Sequence, residues 1–169
     1  SGYVTKIMIQ PDGKILLTTT TKILRLYQDG TVDLTFNQTL GSYIKIARRP
    51  DGKIFMYDNT SHYIRCLNND GTEDLSFSRV LVEKVNAIEF QEDNKMVVVG
   101  KFSGISGGTI ANIARLNVDG TFDVSFYPNQ SLDFYEINAV QILSNGKILV
   151  GGAKTYLSIP NSLMKLYPN

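Results

Sequence analysis

Ile7-Met-Ile-Gln-Pro-Asp-Gly-Lys-Ile-Leu-Leu17 is the stretch on which the fold turns, because it comes back three times along the chain. The returns are Ile46-Ala-Arg-Arg-Pro-Asp-Gly-Lys-Ile-Phe-Met56, Ile88-Glu-Phe-Gln-Glu-Asp-Asn-Lys-Met-Val-Val98 and Val140-Gln-Ile-Leu-Ser-Asn-Gly-Lys-Ile-Leu-Val150. Apolar residues two apart, as at Ile7 and Ile9, give a first strand one apolar face. The nearly continuous apolar run behind the lysine reads as a strand buried on both sides. Asp-Gly or Asn-Gly between them supplies the positive φ values of a type I′ turn and ties the two strands into a hairpin.

A second phrase follows the first three copies: Leu26-Tyr-Gln-Asp-Gly-Thr-Val-Asp-Leu-Thr-Phe36, Leu67-Asn-Asn-Asp-Gly-Thr-Glu-Asp-Leu-Ser-Phe77 and Leu116-Asn-Val-Asp-Gly-Thr-Phe-Asp-Val-Ser-Phe126. Third strands are predicted at 23–26, 64–67, 113–116 and 163–166. A short fourth segment, 31–36 and its equivalents, closes the unit. No window carries a capped helical period, so almost no helix is expected. From Asp12 to Asp51, Asp93 and Asn145 the spacing is 39, 42 and 52 residues, in the range of propeller blades and too irregular for the short rungs of a β-solenoid. The expectation is an all-β fold: a β-propeller of four sequence repeats of antiparallel strands, at residues 3–43, 44–84, 85–136 and 137–169, forming a single domain over 1–169. The ring is four-bladed or part of a larger one. The final phrase is missing from copy four, so an open strand edge is expected. It would be covered by residues 3–10, by a second chain, or by further blades of a longer array. The opening Ser1-Gly2, without methionine, is expected of tag removal or excision from a longer protein.

Composition narrows the function classes. The 169 residues are 43% hydrophobic and 20% charged, with 17 basic against 16 acidic residues, so a net charge of +1 suggests neither nucleic acid nor an anionic membrane surface, and no uncharged apolar run approaches the ~20 residues of a membrane-inserted helix. One cysteine, Cys66, excludes an internal disulfide, and with one histidine, His62, few catalytic or metal constellations remain. His62 and Cys66 stand four apart on one expected strand, roughly 13 Å at ~3.3 Å per residue, too far for a nucleophile and its base. The Asp-Gly-Thr-x-Asp triplets lack the oxygen set of a calcium loop. Each first Asp is expected to cap its own turn and each second Asp to satisfy nearby backbone amides. Ser103-Gly-Ile-Ser-Gly-Gly108 does not have the phosphate-loop pattern. The expectation is therefore no cofactor, no metal, no catalytic residue and no enzyme.

Val85-Asn-Ala-Ile88, Lys95-Met-Val-Val-Val-Gly-Lys-Phe102 and Ile113-Ala-Arg-Leu-Asn-Val-Asp-Gly-Thr-Phe-Asp-Val-Ser-Phe126 resemble the delta-60 repeat family of bacterial β-propellers. Lys147-Ile-Leu-Val-Gly-Gly152 fits the same pattern. Copies one and two depart from it, with Thr18-Thr19 and Tyr57-Asp58 where the family has glycine, and Cys66 where the other copies carry Arg25, Arg115 and Lys165. The resemblance implies a setting in surface or secreted bacterial proteins or phage-related ones, without assigned chemistry.

Recognition is read from where variation falls. In an antiparallel blade the first and third connections share one end and the second and blade-to-blade connections share the other. The first set is uniformly Asp-Gly-like; the second, at 18–22, 58–63, 102–112 and 153–161 within copies and 37–43, 78–84 and 127–136 between them, differs everywhere. Tyr43, Tyr63, Phe102, Tyr127, Phe134, Tyr135 and Tyr156 belong to it, amid Asn and Ser. Loops on a rigid scaffold carry binding residues, and this composition suits adaptable recognition. The candidate ligand-binding residues are Phe102, Tyr127, Phe134, Tyr135 and Tyr156. The expected partner is a glycan or a protein at a bacterial cell or virion surface. The alternative is a structural or assembly unit, a homo-oligomer through the open blade edge.

Overall fold

The computed structural model describes residues 3–20, 22–39, 44–58, 62–103, 105, 111–127, 134–154 and 163–167. Every regular element among them is a β-strand. The chain separates into two compact units, Ser1–Arg79 and Val80–Asn169.

In the first unit β1 (Val4–Ile9), β2 (Ile15–Thr19), β3 (Lys22–Leu26) and β4 (Val32–Thr39) form one antiparallel sheet in chain order. The second sheet is β5 (Ile44–Arg48), β6 (Ile54–Asp58) and β7 (Tyr63–Leu67), again in chain order; the two-residue β8 (Val80–Leu81) opens the second unit. In the second unit β9 (Val85–Phe90), β10 (Met96–Gly100) and β11 (Ile113–Leu116) make the third sheet, and β12 (Phe134–Ile142), β13 (Ile148–Lys154) and β14 (Leu163–Leu166) the fourth. Four antiparallel sheets thus follow the four sequence copies, as a β-propeller requires. The fourth segment is less regular than expected. Only copy one has a full β4, whereas copies two and three make the single bridges Leu67↔Glu73 and Leu116↔Phe122. The chain turns away because Asp74 and Asp123 donate their amides to the carbonyls of Cys66 and Arg115, and Phe77 and Phe126 bond back to those aspartates.

The hairpin turns are not of type I′. Gly13 donates to the Gln10 carbonyl at 2.9 Å and Gln10 to the Lys14 carbonyl at 2.8 Å. Gly13 has φ 80°, whereas Asp12 is absent from the residues of positive φ. That is a type I turn closed by one left-handed residue, a three-residue loop. Pro11 and Pro50 suit it, because the second position of a type I turn wants φ near −65°. The same bond pair recurs at Arg49, Gln91 and Leu143, and again at Tyr27, Asn68 and Asn117.

One packing rule operates in each unit. Leu16, Ile23 and Phe36 of the first sheet are buried against Ile46, Ile54, Met56 and Leu67 of the second. Val97, Val99, Ile113 and Phe126 of the third sheet are buried against Ile137, Val140, Ile148, Val150 and Leu166 of the fourth. In register, Leu16 and Val97 hold one position and Ile54 and Ile148 another. The forward face of one sheet therefore lies on the rear face of the next. Phe36, Phe77 and Phe126 are all buried, and Phe36 and Phe126 plug their respective interfaces; burying each such ring contributes roughly 1.5–3 kcal/mol.

Candidate functional site

At the Asp-Gly end, chemistry is consumed internally. Asp29, Asp70 and Asp119 each accept from the backbone amide of the threonine two residues on, all at 2.9 Å, and from its hydroxyl. The second aspartates do more than cap. Asp33 takes Nε of Arg25 at 2.8 Å, and Asp123 takes Nε of Arg115 and Nζ of Lys95, both at 2.8 Å. The guanidinium planes of Arg25 and Arg115 also lie over the plug rings of Phe36 and Phe126, at 4.6 and 4.9 Å. Hydrogen bonds from Thr35 hold the Asp33 carboxyl well below the usual carboxylate range. For Asp123 burial works the other way and is overcome by Lys95, Ser125 and Arg115. Buried charges are tolerated only when paired in this manner. The lysine of the hairpin phrase and the arginine of β3 or β11 therefore converge on one acid, a relation invisible in linear spacing.

His62 and Cys66 do not share a strand. His62 has φ 57° in the turn before β7, and Cys66 is buried within it, its thiol pushed up to about 12 chiefly by burial. Among the described residues no three His, Cys, Asp or Glu side chains group to hold a metal ion.

The opposite end of the second unit is built differently. Gly100 ends β10 at a register shift where an added Cβ would lie 1.9 Å from the Lys84 carbonyl oxygen; at Gly152 the Glu136 carbonyl oxygen would be 2.1 Å away. Glycine is required there for close backbone approach, which explains its presence in copies three and four. Asn112, in the left-handed region at φ 68°, exchanges backbone hydrogen bonds with Gly100 and Phe102 and donates Nδ2 to the Phe134 carbonyl at 2.7 Å. This asparagine ties the neck of the 102–112 connection to the start of β12. Its only sequence cue was its position after a glycine-rich stretch.

Upon this support sit Lys101 and Tyr135, the Nζ of Lys101 lying 3.9 Å from the Tyr135 ring centroid and bonded to its hydroxyl. Beside them Glu136 accepts from Lys84 and Asn86, each at 2.6 Å. Lys84 first and Asn86 second keep the Glu136 carboxyl below its ordinary range. Two ammonium groups, a carboxylate, an amide and a phenol thus stand on neighbouring residues.

The five sequence candidates are not alike. Tyr127 and Tyr135 are exposed, at 69% and 55%. Phe102 and Phe134 are buried, at 2% and 4%. Alternation along β12 explains Phe134 and Tyr135: successive side chains point to opposite faces. Tyr156 and Tyr43 lie outside the described residues. Lys101, Lys84, Asn86 and Glu136 were missed because charged and amide residues beside a turn look like any solvated surface.

Residues 10–36 and 91–126, less than half of the chain, match a family described as a domain of unknown function (DUF5122) beta-propeller. No curated protein sequence matches. Among solved structures the chain resembles the WD40 beta propeller domain of Doa1 (17% identity, TM-score 0.64, 96% of this chain and 50% of that one). It also resembles virginiamycin B lyase from Staphylococcus aureus (15%, 0.61, 96% and 54%). A third likeness is PorZ, a bacterial surface component of the type-IX secretion system of Porphyromonas gingivalis (16%, 0.53, 98% and 27%). The chain spans about half the length of the first two and about a quarter of the third. These likenesses concern the fold, a β-propeller. They overturn the expectation that the chain is no enzyme, since a lyase stands among the folds it resembles. Active sites assembled from separated loops leave no contiguous motif, so a lack of motifs excluded nothing.

Proposed function

We propose that the chain is a recognition module of delta-60 repeat type that binds a glycan or a protein through the variable end of its second unit, at Tyr135, Lys101 and Tyr127. The observation that carries this is the exposed Tyr135 ring, held beneath Lys101 and beside the Lys84–Glu136–Asn86 cluster. A rigid amphipathic ring offers contact area at low entropic cost, and the flanking groups offer the directed hydrogen bonds that select a hydroxyl-rich or polar partner. The Asp-Gly end, by contrast, spends its carboxylates on its own cations and turns. Placement at a cell or particle surface is part of the proposal, supported by the fold shared with PorZ, a surface component. The alternative of a structural or assembly unit is supported by a different region, the first sheet.

The test is a glycan array together with a pulldown, followed by titration of any hit. Saturable binding that Tyr135→Ala weakens by roughly 1–3 kcal/mol, with melting unchanged, is expected for an exposed hot spot. Binding indifferent to Tyr135→Ala and Lys101→Ala, or lost instead on Asp51→Ala, would defeat the assignment.

A further inference from the structure

Within the first unit, sheet-on-sheet packing leaves the rear face of the first sheet exposed. In the second sheet Ile46, Ile54, Met56 and Leu67 are at most 3% exposed, because the forward face of the first sheet covers them. The same positions in the first sheet are Ile7, Ile15, Leu17 and Leu26, joined in cross-strand register by Ile9 and Leu24. Ile7 and Ile9 are 63% and 64% exposed, and Ile15, Leu17, Leu24 and Leu26 are only half-buried. Six aliphatic side chains thus occupy one face, with the exposed Lys22 at the end of its β3 row. Where the second sheet has Arg48 and Arg65, the first has Ile9 and Leu24, so the open face is more apolar than its covered counterpart. Monomeric proteins rarely leave such a patch in water.

The covering surface is specified by the packing rule, which runs forward face to rear face in both units. The fourth sheet has a forward face of its own: Leu149 at the Leu16 position and Leu163 at the Ile23 position, with Gly151 and Ala139 between neighbouring strands. Leu163 is 62% exposed and Leu149 half-buried. Lys165 stands where Arg25 donates to the Asn69 carbonyl on the turn of the next sheet, at 2.8 Å. We infer that the rear face of the first sheet docks a second copy of this chain, which seats on it the Leu149 and Leu163 face of its fourth sheet and brings Lys165 to the turn carrying Gln28, the equivalent of Asn69. The contact continues the interface already made between the first and second sheets and between the third and fourth. It is heterologous, joining two different surfaces, so it either closes into a ring of copies or propagates head to tail. The inference is independent of the recognition site, which lies elsewhere on the second unit.

Sedimentation velocity and light scattering over a concentration series test it on the unmodified chain, on Ile7→Arg and on Leu163→Arg. Both side chains are exposed, so the variants should keep the parent melting temperature; Ile9→Lys replaces Ile7→Arg should the latter fail to fold. The expected result is concentration-dependent association of the parent and a monomer for each variant alone. An equimolar mixture of the two variants should form a one-to-one complex, since between them one rear face and one forward face remain intact. A parent chain that stays monomeric at hundreds of micromolar would overturn the inference, as would association insensitive to Ile7→Arg. Association abolished by Ile7→Arg but kept by Leu163→Arg would mean that two first sheets pair with each other, and would overturn it equally.

Discussion

Copies two and three solve one packing problem with different chemistry. In copy three, Arg115 reaches from β11 to Asp123, shares it with Lys95 and lies over the Phe126 ring. In copy two the arginine position is Cys66, and the Asp74 oxygen that takes Lys53 at 2.8 Å has the thiol at 3.8 Å, while its other oxygen accepts from Ser76. The guanidinium has moved to Arg49 in the hairpin turn, where it is buried, pairs with Asp51 at 2.8 Å and lies 5.1 Å over Phe55. Phe55 in turn meets the plug Phe77 edge to face at 5.1 Å. Common to both copies is a buried guanidinium over an aromatic ring with an acid to pair it, directly on the Phe126 ring in copy three and on Phe55, which in turn meets Phe77, in copy two; the segment that supplies the cation is free to change. This relocation explains how the repeat tolerates its largest departure at Cys66.

Asp123→Ala should break copy three most severely, because it strands Arg115 and Lys95 around an empty position. A loss of about 3–5 kcal/mol in denaturant unfolding is expected for such a pair. Asp74→Ala removes the partner of a single, partly exposed lysine and should cost about 1 kcal/mol, near the upper end for a surface pair. Equal losses at the two sites would mean the copies are energetically alike after all.

The turns sharpen the contrast next. Gly30 and Gly71 occupy the same place with φ 84° and 96°, yet a Cβ at Gly71 would lie 2.5 Å from the Phe36 ring and one at Gly30 would meet nothing within 4 Å. Gly71→Ala should be worse than Gly30→Ala by roughly 1–3 kcal/mol, the usual cost of overpacking, as read from paired melting curves.

Acid should act on both copies. Asp33, Asp74 and Asp123 all have folded pKa values below the ordinary 3.8, with Asp74 at about 2 through Lys53 and then Ser76. A depressed carboxylate stabilises the fold above its unfolded pKa, and that stability is lost as pH falls through the folded value. The melting temperature should therefore decline from about pH 4 toward pH 2, and Asp74→Asn should flatten part of that decline.

The smallest effect concerns Cys66. With its thiol raised to about 12, it should take up no iodoacetamide at pH 8 in the folded protein and one equivalent in denaturant. Rapid labelling of the native chain would show that β7 opens locally.

The copies, their strand positions and the burial of Phe36, Phe77 and Phe126 were legible because each rests on short-range chemistry: period-two alternation, a left-handed glycine and a repeated phrase. The turn class was misread because Asp-Gly serves both I′ turns and type I turns with a bulge, and only backbone bonding separates them. The candidate site was half legible. Tyr135 and Phe134 are adjacent aromatics in one variable segment, and the sequence had no means of saying which would be exposed.

By itself the sequence determined the repeating unit and the polarity of every hairpin, since those depend on residues within a few positions of each other. The tertiary structure decided which sheet faces were covered. It brought Lys95 and Arg115 to one carboxylate and Lys101 to Tyr135, and it left Ile7 and Ile9 in water while burying Ile46 at the equivalent place. Burial of a sheet face depends on the neighbouring sheet, and these pairings join residues between eight and 34 positions apart, a reach that no local pattern encodes.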